Sequence, residues 1–189
     1  MTNNFKKYED EELVKQLVKN KRAGEKAFEE IYNRYSSHVY SYIRYVVRDP
    51  DDTEDLYQEV FMRFYKNVQK GSEITNLHSY LIKIARNLCL NYKRDKKNNV
   101  PIEEYHKVIN NDFDLENKEL FDLIIRALDL MDEKYKEAFI LKKIEGLKFT
   151  EVAEILEISE EGAKTRVNRA RIKLLDILDP YMKDLKENA

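Results

Sequence analysis

The stretch DEKYKEAFILKKIEGLKFTEVAEILEISEEGAKTRVNRARIKLLDI, Asp132 to Ile177, decides how this chain folds. Its second half reads as two helices around a tight turn. Lys148 to Leu156 is short and amphipathic, with Val152, Ile155 and Leu156 on one face at helical spacing. The turn is Glu157-Ile158-Ser159. Ser159 suits a helix N-cap because its hydroxyl can accept a hydrogen bond from an otherwise unpaired backbone N–H. Glu160 and Glu161 follow in the first turn, where the helix dipole favours negative charge. Gly162 stands three residues after Ser159, so no capping box is expected.

The second helix has two faces. Ala163, Val167, Ala170, Leu174 and Leu178 make one apolar stripe. Glu161, Lys164, Thr165, Asn168 and Arg169 lie opposite, flanked by Arg166 and Arg171. From Ser159 to Lys173 there are five basic residues and two acidic ones. A cationic second helix after a short helix and tight turn fits a helix-turn-helix whose second helix enters a DNA major groove. Arg and Lys suit phosphates and guanine edges, Asn suits adenine, and Thr suits either. Taken alone, the pattern also fits a solvated surface helix of a bundle.

A length of 189 residues allows one domain or two small ones. The 42% hydrophobic and 37% charged residues suit a mostly helical protein with long charged faces. The net charge of −2 gives no global attraction to nucleic acid, so DNA binding requires basic residues segregated from acidic ones. The single Cys89 excludes an intramolecular disulfide and a cysteine-based zinc site. It sits in an apolar-periodic helix and suits a small core or near-surface residue better than a nucleophile. His38, His78 and His106 lack metal-ligand spacing. No carboxylate pair, nucleophile–base arrangement or phosphate loop stands out, so no catalytic residue, metal or cofactor is expected. No apolar run approaches the roughly 18 residues of a membrane span, and MTNNFKKYEDEE has no signal-peptide core. The expectation is a cytoplasmic protein with no membrane insertion.

Upstream, Glu11 to Asn20 reads as a short helix with Leu13, Leu17 and Val18 on its apolar side, and Arg22-Ala23-Gly24 as a break. Glu25 to Val47 is a long helix, with Phe28, Ile31, Tyr32, Tyr35, Val39, Tyr42, Ile43 and Val46 at three- and four-residue steps. Arg48-Asp49-Pro50 ends it. Asp51 to Asp55 opens the next helix with acidic residues suited to its N-terminus. Leu56, Val60, Phe64 and Val68 run along one side, and Asp55, Gln58, Glu59 and Met62 along a neighbouring, mostly polar side. An acidic patch beside an apolar ridge suits a basic, amphipathic partner, although an ordinary solvated face has the same spacing.

Gln69 to Asn76 is a polar loop containing Gly71, and Leu77 to Lys93 is another helix. Leu81, Ile84, Ala85, Leu88 and Tyr92 cluster on its core side. Tyr80, Lys83, Asn87, Asn91 and Arg94 form a second stripe: an aromatic, two amides and two cations. Such a row suits melted nucleic acid, because cations track phosphates, an aromatic stacks and amides bond exposed base edges. A solvated face accounts for it equally well if the helix stands alone. Lys96 and Lys97 extend the charge. Pro101 to Asp122 then holds seven acidic and two basic residues without a clear period, which reads as a flexible acidic linker. Lys118 to Met131 carries Leu120, Ile124, Leu128 and Met131 on one face. Glu133 to Ile144 forms a further helix with Ala138, Phe139, Leu141 and Ile144, ended by Gly146. Asp179-Pro180 is expected to stop the last helix, leaving a charged, frayed tail.

Four stretches in order resemble the sigma-70 family of RNA polymerase sigma factors, in its short, two-domain extracytoplasmic-function group. AFEEIYNRY (27–35) resembles the family's first conserved helix. EDLYQEVFMRFY (54–65) resembles its core-binding helix, EDLxQEVFxR. LHSYLIKIARNLCLNYKR (77–94) resembles FxxWLxxIARNxxxDxxR, and the stretch from Asp132 resembles the C-terminal promoter-reading domain. The match runs from about Asp10 to Leu178. The fold this implies is all-α: two small helical domains, 8–98 and 118–184, joined by an acidic linker at 99–117, the C-terminal one a helix-turn-helix domain.

The resemblance also implies roles. Asp55, Gln58, Glu59 and Met62 match positions that dock on core RNA polymerase, on the β′ coiled coil, with the β subunit as a further partner. The loop 71–76 and the helix bearing Tyr80, Lys83, Arg86, Asn87, Asn91 and Arg94 match the region that captures flipped bases of the minus-ten element, Asn87 first among them. Lys164, Thr165, Arg166, Asn168, Arg169 and Arg171 match the helix that reads the duplex minus-thirty-five element. The linker would thread toward the RNA exit path. Promoter DNA and an anti-sigma factor, common in this group, are the other implied partners. Three residues depart from the family pattern: Tyr80 for Trp, Leu77 for Phe, and Glu157 for the Gly common in the turn. Glutamate in a left-handed turn position costs on the order of 1 kcal/mol. The alternative is a sigma-like helix-turn-helix regulator or decoy that binds polymerase or DNA without supporting initiation.

Overall fold

The computed structural model describes residues 5–97, 123–124 and 126–187. The acidic linker, Leu120 and His106 lie outside the described residues, as do the last two residues of the expected frayed tail. The chain divides into two units, Met1–Lys107 and Val108–Ala189, and among the described residues there is no strand.

In the first unit a short 3-10 turn at Phe5–Lys7 precedes four α-helices: α1 (Asp10–Leu17), α2 (Lys21–Val47), α3 (Pro50–Gln69) and α4 (Leu77–Lys97). Their apolar stripes meet in one core, where Leu13, Ile31, Tyr42, Ile43, Phe64, Leu77, Leu81 and Ile82 are fully buried. The turn between α1 and α2 falls at Val18–Asn20, not at Arg22–Gly24 as expected. Asn20 explains this: its Oδ1 accepts the Ala23 N–H at 3.0 Å and caps α2. Gly24 lies inside the helix, and a Cβ there would sit 2.9 Å from the Leu17 carbonyl oxygen. Glycine at 24 permits the close approach of α1 to α2 and does not mark a break.

Arg48 closes α2 in the left-handed region, φ 67°. Asp49 then caps α3, accepting the N–H groups of Asp51 and Asp52 at 3.0 and 3.1 Å. Pro50 is the first residue of α3, a position whose N–H has no helical partner, so it begins the helix rather than only ending its predecessor. Two polar clusters tie the helices together. Arg34 of α2 donates to Asp10 of α1 at 3.1 Å and to Glu30 at 2.8 Å, and the Tyr35 hydroxyl donates to Asp10. Tyr92 of α4 donates to Asp52 of α3, and Lys96 bonds Asp52 at 3.1 Å. Burial raises the Asp52 carboxyl pKa, but the hydrogen bonds from Tyr92 and Lys96 and the Lys96 charge outweigh it and hold the carboxyl below its ordinary value.

The second unit contains α5 (Glu133–Phe139), a π-helical continuation (Ile140–Ile144), α6 (Phe149–Leu156) and α7 (Glu160–Glu187). Residues 126–129, also helical, bring Ala127 and Leu128 into its core. The expected single α-helix from Glu133 to Ile144 is thus corrected. Its second half is wound with five-residue spacing, the Glu145 N–H reaching the Ile140 carbonyl at 3.0 Å. Adjacent Ile140 and Leu141 are both buried there, which a regular α-helical stripe does not favour, and Phe139 and Ile144 are only half-buried. Gly146, φ +71°, ends the segment.

The stop at Asp179-Pro180 is also corrected, since α7 runs through Pro180 to Glu187. Proline removes the one N–H that would reach the Asp176 carbonyl. Asp176 lies on the exposed face, where water can serve that oxygen. The inner stripe of α7 holds as read: Ala163, Val167, Ala170, Leu174 and Leu178 are all buried.

Candidate nucleic-acid and protein interfaces

α6 and α7 form the helix-turn-helix. The turn closes because Glu157 itself adopts the left-handed conformation, φ 54° and ψ 47°. The Ile158 N–H then returns to the Ala153 carbonyl at 3.0 Å, a backbone closure that glycine would make without steric cost. Ser159 caps α7, its Oγ accepting the Gly162 N–H at 3.0 Å. Replacing Glu157 by glycine is therefore expected to stabilise this unit by about 1 kcal/mol, or a few degrees in Tm. Calorimetry that showed a lower Tm would contradict the strain at this turn.

Lys164, Thr165, Asn168, Arg169 and Arg171 are exposed on α7, and Arg166 is half-buried beside them. Two of the cations already have protein partners. Lys164 pairs with Glu160 at 2.9 Å, one helical turn back, and that hydrogen bond raises its ammonium pKa. Arg169 Nη1 donates to the Tyr135 hydroxyl of α5 at 3.0 Å.

On α4, Asn87, Asn91 and Arg94 are exposed, whereas Tyr80, Lys83 and Arg86 are half-buried. The Tyr80 hydroxyl accepts from Asn67 Nδ2 at 3.0 Å, and its ring meets Phe64 at 6.5 Å, edge to face, which leaves the ring half-buried. The core side differs from the expected one. Ile82 and Cys89 are buried, while Ile84 and Tyr92 are half-buried, Tyr92 because its hydroxyl turns outward to Asp52. The loop before α4 turns at Gly71, φ +86°, and Asn76 Oδ1 caps the helix by accepting the Ser79 N–H at 2.8 Å.

On α3, Asp55, Gln58 and Met62 are exposed and Glu59 is half-buried. Gln58 bonds Glu54 at 3.3 Å, and Glu59 pairs with Arg63 at 2.7 Å. Beside them lies an apolar cleft of about 830 Å³, lined by Val18, Phe28, Tyr32, Phe61, Met62 and Tyr65. Gln58 and Met62 line it too; Asp55 and Glu59 do not. Its wall is a cluster of rings, Phe28 meeting Phe61 and Tyr65 edge-on at 6.1 and 6.0 Å. From sequence, Tyr32 reads only as part of the α2 apolar face, and Tyr65 carries no expected role. A signal was present: Phe28/Tyr32 and Phe61/Tyr65 are four-residue pairs that widen the apolar face beyond one stripe. Among the described residues no helix is long and apolar enough to cross a membrane.

Comparison with known proteins places the chain in a family. Residues 31–99 match the family model for sigma-70 region 2, and residues 121–174 match that for sigma-70 region 4. The chain is similar to the RNA polymerase sigma factor SigZ of Bacillus subtilis, 31% identical over 80% of this chain and 86% of that one. It is also similar to the ECF RNA polymerase sigma-E factor of Haemophilus influenzae, 27% identical over 92% and 97% of the two chains. Its fold resembles that of the sigma factor RpoE of Bartonella quintana, solved in complex with the anti-sigma factor NepR. The TM-score is 0.68 and the identity 22%, covering 82% of this chain and 98% of that one. The chain belongs to the sigma-70 family of RNA polymerase sigma factors, in its extracytoplasmic-function group, a family of regulatory, noncatalytic proteins that bind the polymerase and direct transcription initiation.

Proposed function

We propose that this sigma factor works through three helix faces. On α3, Asp55, Gln58, Glu59 and Met62 dock on the β′ coiled coil of core RNA polymerase, with the β subunit as a second contact. On α4, Tyr80, Lys83, Arg86, Asn87, Asn91 and Arg94 hold the melted minus-ten element together with loop 71–76. On α7, Lys164, Thr165, Arg166, Asn168, Arg169 and Arg171 read the duplex minus-thirty-five element. The working domains are 8–98 and 118–184, and 99–117 connects them. The chain makes and breaks no covalent bond. It acts in the cytoplasm, on the nucleoid when part of the holoenzyme, and an anti-sigma factor competes for its faces.

The observation that carries this reading is the pair of exposed amide-and-cation rows on α4 and α7, each backed by a buried apolar stripe. Capturing unstacked bases offsets the few kcal/mol that unpairing each one costs. Binding to polymerase and to two promoter elements is linked, so each contact raises the effective concentration of the next. With a net charge of −2, the isolated protein is expected to hold promoter duplex poorly at physiological salt. Run-off transcription from a promoter pool, using bacterial core polymerase with and without the protein, tests the reading. Promoter-dependent transcripts that require the protein are expected. Their absence would leave a decoy that binds polymerase without supporting initiation.

A further inference from the structure

The Tyr135 ring, near the start of α5, faces three cations. Lys134 Nζ lies 4.9 Å from its centroid, Lys173 Nζ 5.3 Å and the Arg169 guanidinium carbon 6.0 Å. Lys173 also approaches Asp132, the residue before α5, at 4.0 Å. The phenol oxygen accepts from Arg169 Nη1 at 3.0 Å. That bond, ahead of the nearby positive charges, lowers the phenol pKa from its ordinary value. Tyr135 is thus bonded to a cation of the α7 face from a different helix, 34 residues away in sequence.

An exposed arginine samples many rotamers and loses about 2 kcal/mol of side-chain entropy when it is fixed. A bond to the tyrosine hydroxyl restricts those rotamers before DNA arrives. The guanidinium carries five N–H donors in a planar fork. Using one on Tyr135 leaves donors for a base edge or a phosphate, and fixes the plane in which they point. The ring adds attraction for the cation beyond the hydrogen bond.

We propose that Tyr135 is a positioning residue for promoter selection: it aims the Arg169 guanidinium from α5 and thereby sets the base preference at the position Arg169 reads. The proposal rests on α7 reading the upstream element. Tyr135 touches no DNA in this account, so its effect passes entirely through Arg169.

Tyr135→Phe removes the acceptor oxygen and keeps the ring, the packing and the cation–π attraction. The test uses holoenzyme assembled with core polymerase and the promoter most strongly transcribed from the run-off pool. Single-base variants of its upstream element supply the mismatches, and the readout is the ratio of matched to mismatched transcription. Tyr135→Phe is expected to reduce the ratio about five-fold at one base position, with an unchanged thermal midpoint. Arg169→Ala is expected to reduce it at the same position, and adding Tyr135→Phe to that variant to change nothing more. An unchanged ratio in Tyr135→Phe, with Arg169→Ala still effective, overturns the positioning role alone. An equal loss from Tyr135→Phe in both backgrounds overturns it too, by marking a general structural role. An unchanged ratio in Arg169→Ala overturns it together with the role of Arg169 as a base reader.

Discussion

Gln58→Ala combined with Glu59→Lys is expected to abolish capture of the protein by core RNA polymerase and to leave its helices intact. Gln58 is exposed, and its amide bonds the Glu54 side chain at 3.3 Å. Glu59 is half-buried and holds Arg63 at 2.7 Å across one turn of α3. Neither contact supports the core: exposed pairs of this kind contribute a few tenths of a kcal/mol, and lysine is as good a helix former as glutamate. The buried side of α3, with Val60, Phe61 and Phe64, is untouched. At a docking surface the arithmetic differs. A lysine presented to a basic partner places like charges together at a cost of several kcal/mol. At about 1.4 kcal/mol per decade of affinity, that is on the order of a hundredfold or more. Affinity capture on immobilised core polymerase measures the loss, and circular dichroism confirms the fold. Capture equal to that of the unaltered protein would remove α3 from the docking account.

Phe64→Ala is expected to cost the first unit about 3–5 kcal/mol of stability. Phe64 is fully buried on α3 and meets Tyr80 of α4 edge to face at 6.5 Å. Truncating a buried phenylalanine removes its transfer free energy and leaves a cavity that rigid neighbours fill only partly. Domains of this size have total stabilities of about 5–15 kcal/mol, so the loss is a large part of what is available. The consequence is expected to reach function, because the proposed docking face of α3 and the proposed base-capturing face of α4 share Phe64 behind them. Hydrogen exchange of α2, α3 and α4 amides reads the change directly. Protection weakened by less than about 1 kcal/mol would mean that this core is not the scaffold for both faces.

Much of this was legible in the chain because helical spacing reports which way a residue faces. The five inner residues of α7 are buried, and the six carried as reading residues are exposed or half-buried. Spacing does not report what stands opposite. The bond from Asn67, thirteen residues earlier, to the Tyr80 hydroxyl leaves no sign in the spacing. Nor does the bond from Arg169 to Tyr135 of α5. Local breakers misled for a related reason. Gly24 looks like a break, yet the carbonyl of Leu17 requires the missing Cβ. Pro180 looks like a stop, yet one absent N–H does not end α7. Glu157 is the opposite case: the backbone geometry of the turn prevails over a side chain poorly suited to it.

Asn87 on α4 and Asn168 on α7 are proposed to face the minus-ten and minus-thirty-five elements in one complex. A photo-crosslinking amino acid at each of these exposed positions, in holoenzyme bound to a single end-labelled promoter, measures this most directly. Crosslinks from position 87 confined to the melted minus-ten strand, and from position 168 confined to the minus-thirty-five duplex, are the predicted result. Crosslinks from both positions to the same element, or from neither to DNA while transcription proceeds, would contradict it.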